Sequence, residues 1–151
     1  MASQYSSKHG IVSRPPYELY MSFADMRNFL NMLPEDKRQG VTADFDTIET
    51  TVQGFHVGVK VRSRVPYSLI ELEDHDAPFH FRVSLHFDAA DHPGKTDFHL
   101  EVQAELTLML KMLLGSKIQG ALDKIVDSLV DISGGRMPEG FDPSQFPGFN
   151  S

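Results

Sequence analysis

Apolar and polar residues alternate along most of the chain between residues 40 and 106, a period of two that is typical of β-strands with one buried face. The segment 79–87 shows the alternation without interruption. Its apolar positions are Phe79, Phe81, Val83, Leu85 and Phe87. The turn sequence 91–94 follows, and the segment 98–106 then repeats the alternation. This part of the chain therefore predicts a succession of antiparallel strands.

Five turns along this region predict hairpins, and each hairpin has a register that keeps the apolar residues on one face of the sheet. The predicted pairs are Phe45 with Ile48, Val52 with Phe55, Val61 with Ile70, Leu72 with Phe79, and Phe87 with Phe98. Because all five hairpins agree on the same buried face, we expect one continuous six-stranded meander.

The segments on either side of the meander differ from it. Residues 3–13 alternate weakly and predict one further strand, and two short helices are predicted over 17–23 and 26–33. Over residues 110–132 the apolar positions recur with the spacing of a long amphipathic helix. The predicted apolar stripe of that helix is Leu110, Leu114, Ile118, Ala121, Leu122, Ile125, Leu129 and Ile132.

Glycine and proline mark where the folded domain ends. We expect one domain over residues 1–134, because two glycines terminate the long helix. Residues 135–151 are rich in proline and glycine and predict a tail. The tail carries Phe141, Phe146 and Phe149, and two interpretations stay open for it. It is a mobile end, or its aromatic side chains dock into a groove on this chain or on a neighbour.

Composition narrows the class of protein. The chain has 151 residues, 40% of them hydrophobic and 23% charged, which is typical of a single globular domain. The net charge of -7 argues against nucleic acid and anionic membrane surfaces as partners, and the absence of cysteine excludes disulfides and thiolate chemistry. The polar first ten residues and the lack of an apolar stretch of about 20 residues predict a cytoplasmic protein that does not insert into membranes.

The predicted elements follow a specific order over residues 4–132: strand, two short helices, six strands and a long helix. Local motifs accompany this order. They are Pro15-Pro16-Tyr17-Glu18-Leu19-Tyr20, Asn28-Phe29, Leu33-Pro34 and the run from Lys117 to Lys124. In these features the chain resembles the START-like superfamily, which includes birch-pollen-allergen-like proteins, polyketide cyclases and the SRPBCC family, and it is most similar to small bacterial SRPBCC members. The resemblance implies an α+β helix-grip fold, a curved antiparallel sheet (β-α-α-β6-α) wrapped around a long C-terminal helix.

The resemblance also implies a ligand cavity between the concave face of the sheet and the long helix. The inward positions of the predicted register are almost all apolar, so we expect no catalytic residues in the meander. Titratable side chains remain only at the edges, at Tyr5, His9, Tyr17, Tyr20 and Lys117. The residues predicted to line the cavity are Tyr17, Tyr20, Phe45, Val57, Val59, Phe79, Phe81, Val83, Leu85, Leu100, Val102, Met109, Leu114, Ile118 and Leu122.

An apolar lining favours binding over catalysis. We expect the domain to bind or carry a hydrophobic small molecule or a lipid-like ligand without a cofactor, oriented by the hydroxyls of Tyr17 and Tyr20. Two alternatives stay open. One is an enzyme similar to polyketide cyclases or dehydratases that uses edge tyrosines and histidines as acid and base. The other is a protein-interaction module with a filled core, which acts as a homodimer or with a docked tail.

Three histidines raise the question of a metal site. The predicted register places His86 directly across from His99, with His80 on the same polar face. No carboxylate at a neighbouring position completes an obvious ligand set, so we expect a solvated sheet face and no metal. The same register places Glu71 between Lys60 and His80, as part of a cross-strand charge ladder.

Overall fold

The computed structural model describes residues 2–32, 35–52 and 54–134. The elements in chain order are β1 (Ala2–Ser6), β2 (Gly10–Val12), α1 (Pro16–Ala24), α2 (Arg27–Met32), a 3₁₀ turn (Glu35–Lys37), β3 (Thr42–Ala43), β4 (Thr47–Val52), β5 (Phe55–Val65), β6 (Leu69–Asp74), β7 (Phe81–Ala89), β8 (Thr96–Glu105) and α3 (Leu108–Ser133). The predicted tail, with its three phenylalanines, lies outside the described residues.

The strands form one antiparallel sheet in the order β1-β8-β7-β6-β5-β4-β3, and β2 also pairs with β8. The six consecutive strands from β3 to β8 confirm the predicted meander, and α3 confirms the predicted long helix. The α+β helix-grip architecture is therefore confirmed. Both N-terminal strands lie at the end of the sheet where the meander finishes, because they pair with its last strand.

The segment 3–13, predicted as one strand, is divided into β1 and β2, which pair with different parts of β8. Between them the hydroxyl of Ser7 accepts a hydrogen bond from the Leu100 N–H at 2.8 Å. The Ser7 N–H donates to the Leu100 carbonyl at the same distance. A side-chain oxygen thus takes the place of a backbone acceptor, which interrupts the strand ladder at this point.

Two of the five predicted registers are confirmed. Val52 lies opposite Phe55, and Phe87 lies opposite Phe98. At the β3–β4 turn the prediction is wrong, because Ile48 pairs with Ala43 instead of Phe45. The Asp44 carboxylate accepts hydrogen bonds from the N–H groups of Asp46 and Thr47, and the turn is two residues longer than predicted, with both extra residues on the β3 side.

The register between β5 and β6 also differs from the prediction. Val61 pairs with Leu72 instead of Ile70. A β-bulge interrupts β5 between Val61 and Ser63, so that Arg64, not an apolar residue, lies opposite Ile70. After the bulge, each side chain of β5 points to the opposite face of the sheet from the one that uninterrupted alternation predicts.

The register between β6 and β7 is shifted further. Leu72 pairs with Val83 instead of Phe79. The Asp74 carboxylate accepts a hydrogen bond from the Phe81 N–H at 3.0 Å, and β7 begins at Phe81. The connection between the two strands is therefore longer than the tight turn that the sequence predicts.

Helix α3 packs mainly against β1, β2 and β8. The hydroxyl of Thr107 caps its first turn by accepting a hydrogen bond from the Leu110 N–H at 3.2 Å. The predicted apolar stripe needs two corrections: Ala121 is exposed and Ile125 is 41% exposed, whereas Val126 is fully buried. The reason is that β2 crosses this part of the helix, with Gly10 so close that a Cβ atom there would overlap the Val126 side chain.

Candidate ligand-binding groove

The inner face of the sheet carries the hydrophobic core of the domain. Helix α1 packs on β6 and β7, and the second half of α3 contributes its buried face. Three aromatic rings lie at the centre, since Phe23 of α1 stacks on Phe98 with ring centroids 5.9 Å apart and Phe87 lies 5.5 Å from Phe98. This part of the inner face is filled by protein side chains.

The inner face of β4 to β7 is covered less completely. Helix α3 lies towards β1, β2 and β8, and α2 packs on β3 and β4. Several apolar side chains of this region are therefore only partly buried. On the sheet they are Ile48, Val57, Val59, Val61, Phe81 and Val83, in the β6–β7 connection Phe79, and on the first half of α3 Leu110, Leu114 and Ile118. We refer to these ten residues as the apolar groove.

Seven of the predicted lining residues belong to the apolar groove. They are Val57, Val59, Phe79, Phe81, Val83, Leu114 and Ile118. Four others, Leu85, Leu100, Val102 and Leu122, are buried in the core. The pattern of alternation does not distinguish inward residues that are buried in the core from inward residues that are only partly buried.

The remaining predicted lining residues lie at the borders of this region. Tyr20 is buried, and its ring meets Tyr67 edge-on with centroids 5.6 Å apart. Tyr17 and Met109 are exposed, at 58% and 70%. Phe45 is exposed too, and the guanidinium of an arginine covers its ring at 4.2 Å.

Tyr5 brings a polar group to the inner face. It pairs with Val102 on β8, and its hydroxyl is buried without a hydrogen-bond partner among the described residues. A Cβ atom at Gly115 of α3 would lie 3.2 Å from this hydroxyl, so the tyrosine fits under the helix because a glycine stands there. Ser3, which was not among the predicted site residues, has a second buried hydroxyl, opposite Ala104, that has no partner in the same part of the chain.

The other titratable edge residues lie elsewhere. His9 stacks on His99 and contacts Asp97, with its Nδ1 2.9 Å from the Asp97 Oδ1, on the polar face of the sheet. Lys117 is exposed on α3. Of the five titratable residues predicted at the edges, Tyr5 is the one whose polar atom is buried under α3.

The polar face of the sheet has a charge ladder, but not the predicted one. Glu71 does not lie between Lys60 and His80. Glu73 lies opposite Lys60 instead, because the register between β5 and β6 differs from the prediction by two residues. On its other side Glu73 pairs with Arg82. The Lys60 ammonium lies 3.7 Å from the Glu73 carboxylate.

A surface pocket of about 450 Å³ lies beside this ladder. Its lining is mostly charged: Lys60, Glu73, Asp74, His80, Phe81, Arg82, Gln103, Ala104 and Glu105. His80 and Asp74 are paired there, with Nδ1 and Oδ2 2.9 Å apart. The hydrogen bond to Asp74 and its charge raise the pKa of His80. Burial pushes the pKa of Asp74 upward, but hydrogen bonds from the Phe81 N–H and from His80 outweigh burial and lower it.

A curved antiparallel sheet with a long C-terminal helix against its inner face is a helix-grip fold. Solved structures share this fold. A START superfamily protein from Mycobacterium smegmatis matches with a TM-score of 0.57 and 15% identity, over 83% of this chain and 98% of that one. Norcoclaurine synthase from Thalictrum flavum matches with a TM-score of 0.66 and 9% identity, over 86% of this chain and 85% of that one.

A second structure of the Thalictrum flavum enzyme, in complex with dopamine and hydroxybenzaldehyde, matches with a TM-score of 0.63 and 8% identity, over 92% of this chain and 90% of that one. At these identities the likeness concerns the fold alone. No protein-family model matches the chain, and no curated protein matches it by sequence. Among the described residues, no helix combines the length and the apolar character that crossing a membrane requires.

Proposed function

We propose that this protein binds a hydrophobic small molecule or a lipid-like ligand in the apolar groove. The proposal rests on one observation: ten apolar side chains of the inner face and of α3 are left half-buried between the sheet and the helix. Each Å² of apolar surface that a ligand removes from water there contributes roughly 25 cal/mol to binding.

The hydroxyls of Tyr5 and Ser3 supply polar contacts for one end of the ligand. Both are buried without partners in the part of the chain that the structure describes, and a buried hydroxyl without a partner costs about 1–3 kcal/mol. A ligand with a single polar group would offset that cost while its apolar part occupies the groove. We therefore assign the orienting role to Tyr5 and Ser3, because Tyr17 is exposed and Tyr20 packs among aromatic rings.

The fold of the solved relatives is consistent with this role. The norcoclaurine synthase structure contains dopamine and hydroxybenzaldehyde, so that protein accommodates small aromatic molecules. Because the two proteins share only their architecture, this likeness supports the proposal of a hydrophobic ligand less strongly than the apolar groove does.

Native mass spectrometry of the purified chain tests the proposal first, followed by organic extraction of any bound compound. Titration with cis-parinaric acid, a fluorescent fatty acid, then measures affinity. Val59→Phe places a ring in the groove and should weaken binding by about tenfold or more. Val65→Phe is the matched control, because Val65 is on the same strand but is exposed beyond the bulge, and it should bind like the parent protein.

Uptake of parinaric acid that is lost in Val59→Phe and kept in Val65→Phe would support the groove as the binding site. A protein that carries no compound and takes up no parinaric acid would contradict the proposal and favour the interaction module. Equal affinity in both variants would place the binding site elsewhere.

A further inference from the structure

Two histidines form a stacked pair on the polar face of the sheet. His86 of β7 lies directly opposite His99 of β8, as the sequence predicts. Their rings are nearly parallel, with centroids 4.3 Å apart and an interplanar angle of 5°. The side chains are largely buried, with exposures of 27% for His86 and 12% for His99. The two strands hold the imidazoles in place, because both backbones belong to the same ladder.

Glu101 completes this pair. It follows His99 by two residues on β8, so both side chains point to the same face. One oxygen, Oε1, lies 3.4 Å from the His86 Nε2 and 3.2 Å from the His99 Nε2. One ligand atom from each of the three residues lies within 4.8 Å of the other two. This carboxylate was not among the predicted ligands, although the spacing His99-x-Glu101 on the strand opposite His86 is a signal for it.

One ring nitrogen of each histidine forms no hydrogen bond with the described residues. Among the described residues, the His86 Nε2 and the His99 Nδ1 are buried without hydrogen-bond partners. Both Nε2 atoms approach the same oxygen of Glu101. The ring planes are nearly parallel, so one ring must turn before both Nε2 lone pairs point at a shared cation.

The charges around the pair favour a cation. Asp97 and Asp88 lie directly opposite each other in the next polar row of the same two strands. Two like charges in this position destabilise the sheet unless a positive charge lies nearby. Asp97 also contacts His9, whose ring stacks on His99 with centroids 4.2 Å apart. Carboxylates therefore lie on both sides of the histidine pair: Asp88 and Asp97 on one side and Glu101 on the other.

We propose that His86, His99 and Glu101 bind a divalent transition-metal ion of the zinc type. Two imidazoles and one carboxylate suit such ions, and three protein ligands leave a position for water or another small ligand. Ligand atoms about 2.1 Å from a tetrahedral ion are about 3.4 Å apart, which the two distances to Glu101 already match. The site lies on the polar face of the sheet and is independent of the apolar groove.

Zinc titration of the untagged full-length chain tests the proposal, because a histidine tag would itself bind the metal. Competition with a chromophoric zinc chelator gives the affinity, and the absorption bands of Co²⁺ report the coordination number. We expect one equivalent of Zn²⁺ to bind, and we expect Glu101→Gln and His99→Gln to weaken it by about tenfold or more. His75→Gln is the control, because His75 and His56 also face one carboxylate, that of Glu49, at 3.2 and 3.9 Å.

A similar loss of zinc affinity in Glu101→Gln and His99→Gln, with the affinity of His75→Gln unchanged, would support the site. Binding that is absent from the parent protein, or that His75→Gln reduces as much as Glu101→Gln does, would overturn it. If a site variant fails to fold, histidine-selective NMR of the parent protein gives the answer: Zn²⁺ should shift the ring nitrogens of His86 and His99. Shifts confined to other histidines would also overturn the proposal.

Discussion

The guanidinium of Arg64 donates two hydrogen bonds to the carbonyl oxygen of Ala24, from Nε at 3.0 Å and from Nη2 at 2.7 Å. Ala24 is the last residue of α1, where helix carbonyls have no partner within the helix. The same side chain reaches the Phe45 carbonyl at 3.0 Å and the Asp46 carboxylate at 2.8 Å. One arginine therefore joins α1 and the β3–β4 turn to β5.

Replacement of this arginine should destabilise the domain. Arg64→Met leaves several acceptors unpaired, and we expect the free energy of unfolding to fall by about 3 kcal/mol. Arg64→Lys should recover less than half, since an ammonium cannot reproduce the planar fork. The Arg62 guanidinium is exposed and pairs with Glu71 at 3.4 Å. Arg62→Met should therefore lower the free energy of unfolding by less than about 1 kcal/mol. Equal urea midpoints for the two methionine variants would contradict this role.

Gly58 is predicted to tolerate no side chain. A Cβ atom there would collide with the backbone carbonyl oxygen of His75, which cannot move without disturbing β6. We expect Gly58→Ala to cost about 3 kcal/mol in thermal or urea unfolding. Gly120→Ala is the opposite case, because no atom lies within 4 Å of its Cβ position on α3. It should stabilise the protein by up to about 1 kcal/mol through helix propensity.

Two neighbouring residues of α3 test which face of the helix is buried. Val126→Ala removes two methyl groups from a fully buried site and should cost about 2 kcal/mol. Ile125→Ala removes more apolar atoms from a side chain that is 41% exposed and should cost less. Urea denaturation of both variants gives the comparison. A larger loss for Ile125→Ala would mean that the helix packs with the face that its apolar spacing alone suggests.

The pair of His80 and Asp74 predicts a defined dependence on pH. The pKa of His80 is raised above its ordinary value of 6.5, chiefly by the hydrogen bond to Asp74, so its contribution to stability is present below that value and is lost as pH rises through the raised pKa. The pKa of Asp74 is lowered from 3.8, so its contribution is present above 3.8 and is lost as pH falls through the lowered pKa. The pair therefore stabilises the fold most between these two ordinary values.

NMR titration of the His80 ring checks the pair. In Asp74→Asn the amide oxygen can still accept the hydrogen bond from the Phe81 N–H, while the negative charge is gone. The pKa of His80 should then fall towards its ordinary value. Asp76→Asn removes a neighbouring carboxylate that is not the ion-pair partner of His80, and it should leave the pKa of His80 unchanged. If the pKa of His80 is the same in Asp74→Asn as in the parent protein, the charge of Asp74 does not raise it.

Tyr5→Phe separates stability from binding. The substitution removes a buried hydroxyl that has no partner in the protein, so the unliganded domain should gain up to about 1 kcal/mol of stability. The affinity for parinaric acid should fall at the same time, because the hydroxyl no longer contacts the carboxylate of the probe. Thermal unfolding without the probe and fluorescence titration with it give the two results. A stability loss together with unchanged affinity would remove Tyr5 from the binding site.

The fold could be predicted from the sequence because its signals are local. The alternation over 79–87 and 98–106 fixes which side chains face inward, and the register from Phe87 opposite Phe98 follows from a short turn. The helical spacing over 110–132 predicts α3 in the same way. These signals are enough to specify a meander closed by a long helix, and thereby the inner face on which the apolar groove lies.

The tertiary structure decided what alternation cannot distinguish. A register shift of two or four residues leaves every side chain on the same face, so the pairing of Leu72 with Val83 instead of Phe79 has no signature in the pattern. The bulge that turns Arg64 inward depends on contacts that this side chain makes with α1 and with the β3–β4 turn. Likewise, whether an inward valine is buried or borders the groove depends on where α3 crosses the sheet, and that is set by packing against β1, β2 and β8.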